Sequence, residues 1–81
     1  MPVRVIFPDA ETYFTYATAA LANLGYVRVY SWNEETNTRE EIAAFSKNVL
    51  VRVEVIRDGA VIETILGYAT ARRPVMPSRT G

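Results

Sequence analysis

Carboxylates are the main side chains in this chain that could do acid–base chemistry, because its 81 residues include no histidine and no cysteine. Without those two types, thiolate chemistry, disulfides and the usual zinc sites are excluded, and the commonest general base near neutral pH is missing. Glu34-Glu35 and Glu40-Glu41 are adjacent in sequence, so the members of each pair point in different directions on any regular element. Glu54 and Glu63 are more promising, because a hairpin register centred on Asp58-Gly59 sets them face to face. Facing carboxylates repel unless something neutralises them. Arg52 is a diagonal neighbour that can do so, and the trio reads as a structural ion cluster rather than a metal or acid–base pair. Ser46-Lys47 is a weak trace of a Ser/Lys dyad, since sequence neighbours rarely meet that way. The glycines at 25, 59, 67 and 81 form no phosphate-binding loop. The expectation is a protein without catalytic residues, cofactor or metal.

The element that dominates the pattern runs from Val49 to Tyr68. Two β-branched runs flank Asp58-Gly59, a pair that tolerates the positive φ angles of a two-residue type I′ turn. The expected register sets Arg57 opposite Ala60, Val55 opposite Ile62, Val51 opposite Leu66 and Val49 opposite Tyr68. Val49, Val51, Val53, Val55, Ile62, Thr64, Leu66 and Tyr68 then share one apolar face. Leu50, Arg52, Glu54, Ile56, Val61, Glu63 and Ile65 share the other.

Upstream, Val3 to Phe7 alternates as a short strand ended by Pro8-Asp9. From there Ala10, Tyr13, Phe14, Ala17, Ala20, Leu21 and Leu24 recur at three- and four-residue steps. That spacing predicts a helix with Asp9 at its N-cap and Gly25 at its C′ position, laid over the hairpin. The other side of this helix carries no charge between Glu11 and Gly25, which favours close approach by a second copy or a partner. Tyr26 to Trp32 alternates again as a strand. Thr38 and Glu41 match a capping box, which predicts a short helix over Arg39 to Lys47 with Ile42 and Phe45 inward. The competing reading sends Trp32 to Ile42 back on itself as a loose β-arm.

These elements give an α+β fold, ordered β-α-β-(α)-β-β, with a largely antiparallel sheet packed on one face by helix. Residues 1–71 form one compact domain, and residues 72–81 form a basic, proline-containing, flexible tail. Zero net charge and 49% hydrophobic residues fit an ordered domain with no general pull toward nucleic acid or anionic lipid. No apolar run approaches the roughly 20 residues that span a bilayer, and Met1-Pro2-Val3-Arg4 does not begin a signal peptide. A cytoplasmic protein is the expectation.

Recognition is best supported by the strand at 26–32. Its valines, Val27 and Val29, take one face, while Tyr26, Arg28, Tyr30 and Trp32 take the other. Tyr, Trp and Arg dominate protein-interface hot spots, and a row of rings with arginine also stacks unpaired bases. The plainer reading makes those rings the core. Eight of the nine basic residues are arginine, and Arg52, Arg72 and Arg73 are the additional candidates for partner contact. The functional expectation is a non-catalytic protein–protein interaction module, homodimeric, with single-stranded nucleic-acid binding as the alternative.

Overall fold

A computed structural model describes residues 2–71, and they form a small β-rich domain built from hairpins. The strands are β1 (Val3–Ile6), β2 (Glu11–Phe14), β3 (Ala17–Asn23), β4 (Tyr26–Asn33), β5 (Thr38–Ser46), β6 (Arg52–Arg57) and β7 (Ala60–Leu66). A 3₁₀ turn, Lys47–Val49, is the only helical element among the described residues. One sheet has the order β2-β1-β6-β7 and the other β3-β4-β5, and all neighbours are antiparallel. The core lies between them, with Val3, Val5, Val53 and Val55 from the first sheet meeting Ala17, Ala20, Val27 and Val29 from the second. Phe45 stacks edge-on to Phe7 at 5.4 Å and tilted to Phe14 at 6.2 Å, closing one side of that layer. The expected tail, with Arg72 and Arg73, lies outside the described residues.

The α+β expectation is therefore overturned, and so is the helix over residues 10–24. That window holds Thr12, Tyr13, Phe14, Thr15, Tyr16 and Thr18, which form helices poorly and strands well. The helical spacing arises from a bulge. Ala17 pairs with Ser31, but the next pair is Ala19 with Tyr30, so Thr18 is an extra residue in β3. Two positions three apart, Ala17 and Ala20, thereby face the core from one strand. Leu21 and Leu24, which complete the supposed stripe, are exposed. Leu24 and Gly25 have φ of 54° and 82° and join β3 to β4 as a two-residue hairpin turn, not as a helix cap.

The helix over residues 39–47 is overturned as well, because residues 38–46 pair with β4 along their length, and the β-arm reading holds. Val29 pairs with Ala43 and Tyr30 with Glu41, so Ile42 is the extra residue of β5. Phe45 does turn inward, while Ile42 is exposed.

The β6–β7 hairpin turns at Asp58-Gly59, with φ of 55° and 79°, and Arg57 faces Ala60 as expected. Ile56 still faces Val61 in the expected register, but beyond that pair it fails by one residue: Val55 faces Glu63, leaving Ile62 as a bulge. Because side chains alternate with period two, the slip reverses the faces of β7. Ile65 packs toward the core opposite Val53, whereas Ile62, Leu66 and Tyr68 are exposed. At the other end the 3₁₀ turn shifts the phase before β6, so Leu50 is fully buried in place of Val49.

Candidate functional site

The second sheet carries its core on one face and the expected row on the other. Val27 and Val29 are fully buried, while 48% of Tyr26 and 47% of Trp32 remain open to solvent. Tyr30 and Arg28 are half-buried beside them. Pairing adds residues that the sequence reading of this face did not include. Across from Arg28 stand Leu21 and Ala44, across from Tyr30 stand Ala19 and Glu41, and across from Trp32 stands Arg39. Their signal was the β-arm alternative, which places Arg39 and Glu41 at the same strand phase as Trp32 and Tyr30.

The arginines on this face lie over the rings. The Arg28 guanidinium sits 6.0 Å from the centre of the Tyr26 ring and bonds Glu41 at 3.4 Å, and Arg39 sits 5.4 Å from the Tyr30 ring. Such contacts orient an arginine at the surface with little net stabilisation. The connection beyond the row is also ordered. Asn33 Oδ1 accepts from the backbone N–H groups of Glu35 and Thr36 at 2.9 and 3.3 Å, and its Nδ2 donates to Glu40 at 2.9 Å. Asn37, at φ 57°, completes that turn. The result is a hairpin whose turn bears Glu34 and Glu35, while Glu41 stands within the aromatic–arginine row opposite Tyr30 and Glu40 opposite Ser31.

Arg52 is not part of this face. It lies in the other sheet, where it bonds Glu54 at 2.7 Å, and Arg4 bonds the second carboxylate oxygen at 2.6 Å. Glu54 is only 7% exposed. Its burial by itself pushes the carboxyl pKa up, but the hydrogen bonds from Arg52 and Arg4 outweigh burial and hold it below the ordinary glutamate value. The same bond to Glu54 raises the pKa of Arg4. Glu63 is not in the cluster. The bulge sets Glu54 opposite Thr64 and turns Glu63 to the other face opposite Val55, so the facing carboxylate pair does not exist.

Ser46 and Lys47 are engaged separately. The Ser46 hydroxyl accepts from the Asn48 N–H at 3.1 Å, and the Lys47 ammonium lies 5.6 Å from the Tyr68 ring. An open cleft of about 480 Å³ runs between the β1–β2 connection and the 3₁₀ turn, with Phe7, Pro8, Asn48 and Val49 in its walls. Asp9 is the one titratable group lining it. Among the described residues no group of three or more His, Cys, Asp or Glu could hold a metal ion, and no helix is long and apolar enough to cross a membrane. A scan against protein-family models and searches of curated proteins and solved structures find no match.

Proposed function

We propose that the chain is a non-catalytic protein-recognition module acting through the outer face of the β3-β4-β5 sheet. The observation that supports it is the row Tyr26, Arg28, Tyr30 and Trp32, solvent-facing on a central strand whose opposite side is sealed by Val27 and Val29. Rings with restricted rotation and arginines already oriented lose little entropy on binding, which is why these types anchor interfaces. Nucleic acid is the competing ligand for a row of open rings. It is disfavoured because Arg28 is engaged by Glu41, and Glu34 and Glu35 lie in the turn that follows β4, so phosphates along this face would meet like charge.

A photo-crosslinking phenylalanine analogue at position 32 is expected to trap a protein that the same analogue at position 16, on the β2–β3 turn, does not trap. Once purified, that protein is expected to bind the wild-type chain and to lose about 2 kcal/mol or more with Trp32→Ala or Tyr30→Ala. Unchanged affinity in both variants sinks the reading. A single-stranded oligonucleotide complex that weakens steeply with salt replaces it with the nucleic-acid one.

A further inference from the structure

A separate surface, independent of the aromatic face, is the free edge of the first sheet. β7 closes the order β2-β1-β6-β7, so among the described residues one side of its backbone has no strand beside it. The other sheet margins are guarded. β2 has only four residues, and β3 is interrupted by the Thr18 bulge. β5 carries Arg39, Glu40 and Glu41 together with the Ile42 bulge. Charge, brevity and bulges are the devices that keep sheet edges from pairing. β7 has seven residues, a single charge at Glu63, and a bulge only near its start at Ile62. Its apolar side chains are bare, with 51% of Ile62 and 69% of Leu66 exposed.

We propose that β7 is a self-association edge, where two copies of this chain pair β7 with β7 in antiparallel fashion about a two-fold axis. The strand is self-complementary in one register. Centring the pair on Glu63 would set each carboxylate against its own copy, which is unfavourable. Centring it on Thr64 sets Ile62 against Leu66, Glu63 against Ile65, and Thr64 against Thr64, and cross-strand threonines are a favourable pair. An isologous contact of this kind closes on itself and gives a dimer rather than a fibre. The zero net charge of the chain opposes none of this.

Sedimentation equilibrium of the whole chain tests the proposal. A monomer–dimer equilibrium is expected below about 1 mM, abolished by Ile62→Lys with an unchanged melting curve, because that bulge side chain is exposed and lysine guards an edge. Trp32→Ala, on the other sheet, is expected to leave the dimer intact, which separates failure here from failure of the recognition face. The chain has no cysteine, so Thr64→Cys gives a clean second readout. Residues directly opposite in an antiparallel pair have Cα atoms about 4.5–5.5 Å apart, within disulfide range. Mild oxidation is expected to give a covalent dimer from Thr64→Cys and none from Tyr16→Cys. A monomer at every concentration overturns the proposal. So does a dimer that survives Ile62→Lys, or one that is lost with Trp32→Ala alone.

Discussion

The two sheets use the same ion pair in opposite ways. In the first, Glu54 receives Arg4 and Arg52 at 2.6 and 2.7 Å, and its side chain is 10% exposed. In the second, Arg28 reaches Glu41 at 3.4 Å and both side chains stay about 40% open. Position in the sheet accounts for part of the contrast. β6 is an inner strand between β1 and β7, and arginine stems from β1 and from β6 itself lie beside the carboxylate. β4 is also an inner strand, but its outward neighbours include Ala19, Ala44, Leu21, Glu41 and Arg39, which leave Tyr26 and Trp32 about half open. A carboxylate withdrawn from water between two guanidinium groups is committed to the fold. A loosely paired one beside open rings is free to be rearranged by a partner.

That contrast can be broken by substitution, and the largest effect is expected where the first sheet closes. Gly67 donates its N–H to Val51, and a Cβ there would collide with the buried Leu50 carbonyl and lie 2.7 Å from the Leu50 Cβ. Because the obstacle is backbone, Gly67→Ala is expected to lower stability by about 3 kcal/mol and the melting temperature by more than about 10 °C. A wild-type melt would show that residues 67–69 do not dock on residues 47–51.

The ion cluster comes next. Glu54→Gln is expected to destabilise by about 1–2 kcal/mol at pH 7, a value kept low because both arginines are partly solvated. The sign of its pH dependence follows from a folded pKa below the unfolded one. Its contribution is complete above the ordinary glutamate pKa of about 4.3, and is lost as pH falls through that value toward the lower folded one. Urea titrations from pH 6 to pH 2.5 are expected to show a shallower acid limb in the variant. Identical limbs would remove Glu54 from the account.

The turns offer a comparison in which the two sheets are expected to agree. Gly25 and Gly59 share positive φ and open surroundings, so Gly25→Val and Gly59→Val are each expected to cost about 1–2 kcal/mol through backbone strain alone. Unequal losses in thermal denaturation would mean that one turn tolerates rearrangement. The smallest effect belongs to the open face. Glu41→Gln is expected to change stability by less than about 0.5 kcal/mol, with iodide quenching the single tryptophan, Trp32, in wild type and variant alike. A larger loss would make the second ion pair structural, like the first.

Much of this molecule was legible along the chain. The Asp58-Gly59 turn, the strand character of β1 and β4, the burial of Val53 and Val55, and the division of β4 into a valine face and a ring face all follow from alternation and turn chemistry. What misled was a spacing of three. Ala17 and Ala20 read as a helical step, and they owe that look to the single-residue bulge at Thr18; of Ile42 and Phe45, read the same way, only Phe45 packs against the core. A third bulge at Ile62 left the hairpin in place but reversed one of its strands, dissolving the Glu54–Glu63 pair.

Residue types along the chain thus determined where it turns, which strands can exist and which catalytic groups are missing. Those properties depend on φ preference, side-chain shape and chemical identity, all of them local. Tertiary structure decided where the bulges fall in β3, β5 and β7, which face of each strand meets the core, and that Glu54 is withdrawn while Tyr26 and Trp32 stay open. A bulge is stabilised by pairing with strands distant in sequence and by packing between sheets, so the phase it imposes leaves no mark in the local pattern.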